Sequence, residues 1–401
     1  MTVSQPFWRT SGIVILAGCL IALVSFGARS GFGLFLGPMS EANAWGREVF
    51  AVAIGIQNLL WGVGQMITGA IADRFGATRV LVVGALVYCA GLLLMAVAAS
   101  PLVLHLSAGV LVGIGGAGAS FAIVMAAVAR MVPEERRSWA LGVIVASSSL
   151  GMFLFAPMTQ GLILAYGWST ALVVVACLVL LVVPLALPYA GQPASASAAG
   201  QSIGQAIREA AGHRSYWYLV TGFFVCGYHV AFIQTHLPAY ITDSFVAPWV
   251  AGWAIALVGL FNVVGSYASG VLGGRYSKKN LLSLIYVLRA LVIALYVLLP
   301  VTATTTLVFA AAMGLLWLST VPLTSGLVAV MFGPRYMAML FGVVFFSHQL
   351  GAFLGVWLGG RLYDVTGSYD VVWWIGVALG LLAALIHLPI TERPVVRTAA
   401  A

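Results

Sequence analysis

Two stretches of the chain match each other. The first is Gly69-Ala70-Ile71-Ala72-Asp73-Arg74-Phe75-Gly76-Ala77-Thr78-Arg79, and the second is Gly270-Val271-Leu272-Gly273-Gly274-Arg275-Tyr276-Ser277-Lys278-Lys279. In both, an apolar run ends in a short turn that carries glycines and basic residues. Gly69 and Gly270 are 201 positions apart, which is half of the 401-residue chain. This symmetry indicates two repeated helix bundles in one chain.

The composition places the chain in a membrane. Only 7% of its residues are charged and 62% are apolar, whereas soluble domains carry about 25% charged residues. The mean hydropathy of +1.08 leaves no room for a large water-exposed domain. A soluble enzyme, a secreted disulfide scaffold and a disordered regulator are therefore excluded. The four cysteines lie far apart in apolar runs without metal-site spacing, so they are interpreted as packing residues.

The hydropathy pattern predicts an all-α membrane protein of twelve transmembrane helices in two pseudo-symmetric six-helix bundles. A helix needs about 20 apolar residues to cross the hydrocarbon core. The predicted domains are a first bundle at 1–189, a cytoplasmic linker at 190–214 and a second bundle at 215–401. The predicted spans are 11–38, 49–71, 79–99, 102–131, 138–163, 169–189, 215–241, 249–274, 280–300, 303–332, 336–359 and 370–390.

The distribution of basic residues predicts the orientation of these spans. With a cytoplasmic N-terminus, 14 of the 18 Lys and Arg residues lie on the inner side and only Arg47 and Arg361 on the outer side. Because Lys and Arg concentrate in cytoplasmic loops, both termini are expected in the cytoplasm. The net charge of +8 is explained by this topology, and no nucleic-acid partner is expected. The expected location is the inner (plasma) membrane of a bacterium, with the lipid bilayer as a partner.

The first quoted loop resembles the G-x3-D-R-x-G-x2-R signature of the major facilitator superfamily. The second loop has Gly274 in place of the acid. The resemblance implies the fold of that superfamily. It also implies a conformational latch at Asp73, Arg74 and Arg79, in which the carboxylate pairs with cytoplasmic arginines.

A narrower resemblance points to the monocarboxylate-transporter branch, which includes members similar to oxalate/formate exchangers. It rests on the stretches Phe26-Gly27-Ala28-Arg29-Ser30-Gly31-Phe32-Gly33-Leu34-Phe35, Ser147-Ser148-Ser149-Leu150-Gly151-Met152-Phe153 and Tyr166-Gly167-Trp168. In that branch a basic residue on the first helix meets the substrate carboxylate, and Arg29 matches its position. The branch also has an Asp and an Arg four residues apart on helix eight, where this chain has Asn262 and Ser266. This departure puts the usual proton coupling and anion clamp in doubt.

Two arginines, Arg29 and Arg289, fall in the interior of predicted spans, away from their ends. A charged residue inside a bilayer costs at least ~2.5 kcal/mol and normally faces a cavity or a partner. Arg29 is interpreted as a substrate-binding residue, with a snorkelling arginine as the alternative. For Arg289 on helix nine, two readings stay open. It either holds neighbouring structure, through Asn262 or loop carbonyls, or reaches into the pathway.

The remaining candidates for substrate binding are polar or aromatic residues on helices that should line the pathway. Each histidine is either functional or a hydrogen-bonded packing element, and a histidine can also carry a proton near neutral pH. Trp317 is either a pathway aromatic or simple packing. The candidates besides Arg29 and Asn262 are Gln57, Tyr228, His229, His236, Trp317, His348 and Gln349.

The leading hypothesis is a secondary active transporter that moves a small organic anion by alternating access. The alternatives are an anion exchanger or facilitator without proton coupling, and an exporter of amphipathic or drug-like compounds. Proton coupling stays open, with His229, His236 and His348 as candidate carriers. No catalytic constellation or GxxxxGK[ST] loop is present, so no enzyme activity is expected. No cofactor or metal is expected, and the chain is expected to act as a monomer.

Overall fold

The computed structural model describes residues 10–190, 203–333 and 337–395. Its spans are helical because a backbone in hydrocarbon has to satisfy its own hydrogen bonds. The helices that form the first half are α1 (Ser11–Ser30), α2 (Leu36–Asn43), α3 (Arg47–Phe75), α4 (Ala77–Ala96), α5 (Pro101–Leu104), α6 (Val112–Gly118), α7 (Phe121–Met131), α8 (Glu134–Val179) and α9 (Val182–Leu185).

The rest of the described chain is also helical. A short helix of the predicted linker, α10 (Ile203–Ala211), precedes the second half. The helices of that half are α11 (Arg214–Asp243), α12 (Trp249–Gly273), α13 (Lys278–Leu298), α14 (Ala303–Leu316), α15 (Thr320–Phe332), α16 (Met337–Thr366) and α17 (Asp370–His387). Residues 191–202 of the linker lie outside the described ranges, so the division into 1–189, 190–214 and 215–401 stays a prediction.

Eleven helical runs in the described part of the chain are long and apolar enough to cross a membrane. One of them contains α8, which turns at Gly167, where φ is 82° and ψ is 164°. Glycine adopts this conformation without a Cβ clash, and the turn separates the predicted spans 138–163 and 169–189. The predicted all-α membrane fold is confirmed, and the count of twelve is reached when α8 is divided at Gly167.

Three spans are interrupted near their middle or outer third. The first changes from α1 into a 3-10 turn at Phe32–Phe35, and the fourth breaks between α6 and α7. The tenth breaks between α14 and α15, just before Pro322. Proline has no N–H for the helical bond to residue 318 and clashes with its carbonyl, which explains this break. Irregular backbone at this depth is tolerated where protein groups or a cavity satisfy it.

Helix packing sets the relation between the halves. Within the first half α1 packs on α8 and α4 on α6, and within the second α11 packs on α16 and α13 on α17. The most extensive contacts between the halves are those of α3 with α16 and of α8 with α12, and α11 also contacts α2 and the turn Phe32–Phe35. The approach of α11 to α16 is so close that a Cβ at Gly351 would lie 1.9 Å from the carbonyl oxygen of Phe224.

Candidate functional site

Arg29 lies at the end of α1, three residues before the 3-10 turn. Its Nη2 donates a hydrogen bond to Oδ1 of Asn58 on α3. The guanidinium carbon lies over the ring of Trp61, 4.2 Å from its centroid. The three ion pairs found among the described residues do not include Arg29. Because only dipoles and an aromatic face oppose its charge, the side chain is suited to attract an anion.

A cavity of about 20 Å³ lies beside Arg29. This volume suits about one water-sized group. Its lining comes from α1, α3, α4 and the broken fourth span, and includes Ser25, Gln57, Tyr88 and Ser120. One N–H of the Gln57 amide already has an acceptor, since its Nε2 donates to the carbonyl of Ala108 at 3.0 Å. The structure thus brings together the predicted residues Arg29 and Gln57.

Four other polar atoms of this cavity have no hydrogen-bond partner among the described residues. They are the hydroxyl oxygens of Ser25, Tyr88 and Ser120 and the Nε of Arg29, and all four are buried. Sequence reasoning missed these three hydroxyls, because a Ser or Tyr within an apolar helix carries no distinguishing signal. The one available hint was the glycine-rich run that precedes Ser120, where the fourth span breaks.

His348 and Gln349 lie on α16, on the opposite side of the contact between the halves. His348 stacks on Phe345, with ring centroids 5.6 Å apart, and Phe345 meets Trp61 edge-on at 5.5 Å. The Nδ1 of His348 lies 3.2 Å from Oε1 of Gln349. These two predicted residues are therefore connected to the surroundings of Arg29 through two aromatic rings.

The three candidates on α11 lie elsewhere. Tyr228 donates its hydroxyl to the carbonyl of Val372 at 3.1 Å, and Nε2 of His229 lies 2.7 Å from the carbonyl oxygen of Gly376. Nε2 of His236 lies 2.8 Å from the carbonyl oxygen of Val356. These contacts hold α11 against α16 and α17. None of the three residues lines the cavity beside Arg29.

Arg289 supports the break in the tenth span. Its Nε and Nη2 donate to the carbonyl of Leu316 at 3.1 and 2.6 Å, and Nη2 also donates to the carbonyl of Trp317. These bonds satisfy backbone groups that the break leaves without helical partners. Of the two readings left open for Arg289, the contacts are those of the first, in which it binds carbonyls of a neighbouring segment.

Asn262 joins the same break to the other half of the chain. Its Oδ1 accepts from the backbone N–H of Leu318 at 3.0 Å, and its Nδ2 donates to the hydroxyl of Ser149 on α8 at 3.0 Å. Asn262 stands where the monocarboxylate-transporter branch has an acid on helix eight. Both polar atoms of its side chain are thus hydrogen-bonded. Trp317 is buried within the break itself.

The predicted latch residues Asp73, Arg74 and Arg79 have different contacts, and the carboxylate of Asp73 meets one of the arginines placed on the cytoplasmic side. Asp73 pairs with Arg130 of α7, with 2.6 Å between Oδ1 and Nη1. Arg74 lies over the ring of Phe75, and Arg79 borders an apolar groove between α3, α4 and α6. Neither makes a described ion pair, so the pair Asp73–Arg130 ties α3 to α7 within the first half.

A polar cluster joins the two halves at the end predicted to face outward, and we call it the outer seal. Both Nη atoms of Arg47 donate to the carboxylate of Asp243 at 2.7 Å, and Nη1 also donates to the hydroxyl of Tyr369 at 2.8 Å. The carboxylate of Asp364 accepts the backbone N–H groups of Arg47 and Glu48, which caps α3. The outer seal consists of Arg47, Glu48, Asp243, Trp357, Arg361, Asp364 and Tyr369.

Glu48 completes this cluster. Its carboxylate accepts from the indole N–H of Trp357 at 3.0 Å and pairs with Arg361 at 3.1 Å. The outer seal therefore joins two neighbouring residues of the first half, Arg47 and Glu48, to side chains from three segments of the second half. Sequence reasoning placed Arg47 and Arg361 on the outer side and did not predict that they meet acids of the other half.

The broken apolar helices, packed as two halves around buried polar side chains, define a multi-pass membrane protein of the transporter class. The family model described as Major Facilitator Superfamily matches residues 18–356 and 247–401, so the chain belongs to the Major Facilitator Superfamily. Its members are transporters and not enzymes, as the sequence led us to expect.

Similar proteins agree with this assignment. Monocarboxylate transporter 13 of Rattus norvegicus is 28% identical over 94% of this chain and 88% of its own length. The MFS-type transporter YcxA of Bacillus subtilis (strain 168) is 24% identical over 95% of both chains. The predicted resemblance to monocarboxylate transporters is thereby confirmed.

A solved structure shows the same fold. It belongs to a bacterial homologue of the human lysosomal transporter Spinster, in an inward-facing and unoccupied conformation. The two structures agree with a TM-score of 0.73 at 15% identity, over 96% of this chain and 98% of the other.

Proposed function

We propose that this protein is a secondary active transporter that moves a small organic anion of the monocarboxylate kind by alternating access. The observation that carries the proposal is Arg29, a cation at membrane depth with no described acid partner, beside a cavity with unbonded donors. A guanidinium in such a place binds a carboxylate strongly, since the charge-assisted bond is not weakened by water. The relatives named as monocarboxylate transporters support the same class of substrate.

Alternating access is supported by the outer seal. Its bonds cross from one half of the chain to the other, so they have to break if the halves separate at that end. In the orientation that we propose, with both termini in the cytoplasm, the seal closes the external side. A monomer suffices for this cycle, because both halves and all of these contacts belong to one chain.

For coupling to protons, His348 is the candidate that its contacts favour. His229 and His236 each place Nε2 against a backbone carbonyl, which holds a proton on that nitrogen. His348 instead contacts the side chain of Gln349. Exchange without proton coupling is the second candidate, favoured by Asn262, which cannot titrate and is bonded on both polar atoms.

Uptake into proteoliposomes tests the proposal. The panel contains acetate, pyruvate and benzoate, with oxalate, a sugar and a cationic drug for comparison. We expect uptake of monocarboxylates by the parent and its loss in Arg29→Gln, with Arg208→Gln on the exposed face of α10 as the matched control. Normal uptake by Arg29→Gln would refute the role of this side chain, and transport of the drug alone would refute the substrate class.

The same assay separates the two coupling schemes. An inward pH gradient should accelerate uptake if a proton moves with the substrate, and His348→Gln should then remove the acceleration. Histidine suits this task because its ordinary pKa is about 6.5. Acceleration that persists in His348→Gln would exclude this residue, and a parent that shows only substrate exchange would favour the second candidate.

A further inference from the structure

The groove between α3, α4 and α6 is the largest space described in the first half, at about 410 Å³. Apart from Thr68 and Arg79, its lining consists of apolar side chains and glycines. The hydroxyl of Thr68 already donates to the carbonyl of Gly64 at 2.8 Å. The guanidinium of Arg79 is therefore the one polar side-chain group of the lining that is left to meet a ligand.

The groove faces away from the second half of the protein. Gly62 of α3 packs on α16, where a Cβ would lie 2.7 Å from Cγ of Gln349. Leu60 lines the groove two positions earlier, and two positions of a helix correspond to a rotation of about 200°. Ile67 and Val83 of the lining are 55% and 60% exposed. Because α3 and α4 cross the membrane, apolar side chains exposed on this face contact lipid tails, and the groove opens into the bilayer.

The length of the groove matches one leaflet. On α3 the lining extends from Leu60 to Ile71, eleven positions further along the helix. At about 1.5 Å per residue this is roughly 16 Å, and half of a hydrocarbon core about 30 Å thick is roughly 15 Å. Arg79 and Ile71 lie near the turn at Gly76, where α3 ends and α4 begins. The groove therefore extends from the end predicted to be cytoplasmic to the middle of the bilayer.

A positive charge stands at the cytoplasmic end of the groove. Arg79 is exposed there and takes part in none of the three ion pairs found among the described residues. No Asp or Glu lines the groove, and Asp73, the nearest acid along the chain, is paired with Arg130. Basic pockets between transmembrane helices on the cytoplasmic side suit anionic phospholipid head groups. An apolar groove one leaflet deep with a cation at its mouth is complementary to such a lipid.

We propose that this groove binds one anionic phospholipid of the cytoplasmic leaflet. One acyl chain lies along Ile67 and Val83, and the phosphate of the head group pairs with Arg79. The inference uses the membrane orientation proposed above and is independent of the transported substrate. The corresponding position of the second half, 201 residues further along, is Asn280, so the head-group site belongs to the first half alone.

Native mass spectrometry of the delipidated full-length protein tests the head-group contact. The probes are phosphatidylglycerol and phosphatidylcholine with the same oleoyl chains. The parent should bind one phosphatidylglycerol about fivefold more tightly than phosphatidylcholine, which is the contribution of one basic residue near a membrane surface. Arg79→Gln should remove this preference, and Arg79→Lys should keep most of it. Arg275→Gln is the matched control, because it removes an exposed arginine from the corresponding loop of the second half.

A second variant tests the groove itself. Val83→Trp places a ring in the groove from an exposed position, so it should weaken the binding of both lipids. Leu86→Trp is its matched control, since Leu86 is 50% exposed on the same helix and does not line the groove. It should bind both lipids like the parent. Both changes lie on the lipid-facing surface and leave the packed core of α4 unchanged.

Four results would overturn the proposal. The parent could bind both lipids equally, or Arg79→Gln and Val83→Trp could both bind phosphatidylglycerol like the parent. Inorganic phosphate could displace phosphatidylglycerol at equal concentration, which would assign Arg79 to a free anion. The parent could also form a dimer that Val83→Trp dissociates, which would assign the groove to a second copy of the chain.

Discussion

Replacing Arg47 with Gln should open the outer end of the transporter. In the outer seal its guanidinium bonds Asp243 through both Nη atoms, bonds Tyr369 through Nη1 and lies over the ring of Tyr363 at 3.7 Å. All of these partners belong to the second half. An amide in place of the guanidinium cannot reproduce the bidentate contact with the carboxylate of Asp243. The closed arrangement therefore loses its main polar link between the halves.

The size of the effect follows from the geometry. A hydrogen bond to a charged group contributes about 1.5–3 kcal/mol, and partial exposure of the pair reduces this value. The side chains of Arg47 and Asp243 are 13% and 32% exposed. We therefore expect the closed state to lose about 2 kcal/mol relative to the open state, which shifts their ratio about 30-fold.

The assay is a distance measurement between spin labels at Ala42 and Val365, two exposed positions at the outer end of different halves. The labels are attached to cysteines in a background that lacks the four native ones. The parent should show one short distance, and Arg47→Gln should add a longer one. Arg361→Gln is the matched control, because Arg361 is 54% exposed and makes one ion pair of 3.1 Å. Its effect should stay below about fivefold.

A charge exchange makes the test specific to the pair. Arg47→Asp and Asp243→Arg should each open the outer end, and the double variant should restore a large share of the short distance. If Arg47→Gln and the parent have the same distance distribution, the outer seal does not hold the halves together and the reasoning is wrong.

Two further predictions concern stability. Arg289→Met should lower the free energy of unfolding by about 1–3 kcal/mol, because the carbonyls of Leu316 and Trp317 lose their donors. Thermal unfolding in detergent measures this change. The control variant Arg208→Met should unfold like the parent. Burial raises the pKa of Glu392, but hydrogen bonds from the backbone N–H of Lys279 and the hydroxyl of Ser277 outweigh it and hold the pKa below its usual range. Its stabilising effect is then present above the unfolded pKa of about 4.3 and is lost as the pH falls through the lower folded value, so the parent should lose more thermal stability on acidification than Glu392→Gln. Equal losses in the two proteins would contradict this assignment.

Arg29 shows how far sequence reasoning reached into the site. The cost of a charge in hydrocarbon, and the resemblance of the first helix to monocarboxylate transporters, were enough to select it. Tyr88 and Ser120 could not be selected in the same way, because their hydroxyls matter only through the direction in which they point. That direction depends on the rotation of α4 and on the break between α6 and α7, which packing determines.

For the three candidate histidines, sequence reasoning could not separate one from another. Their position on helices expected to line the pathway favoured His229, His236 and His348 equally. The structure separates them, because carbonyls of α16 and α17 lie against the first two, whereas His348 stacks on the ring that meets Trp61. A helix has several faces, and its own sequence does not specify which face packs against which neighbouring helix.

The sequence by itself determined the membrane class, the approximate number of the spans, the family and the position of Arg29. These properties depend on hydropathy, on charge and on short motifs, which are local along the chain. Only the tertiary structure decided that Arg47 meets Asp243, that Arg289 holds the break of the tenth span, and that three hydroxyls surround one cavity with Arg29. The partners in the outer seal are separated by up to 322 residues. Contacts between segments so far apart arise from the packing of one helix on another, because no local pattern specifies which distant side chain a residue will meet.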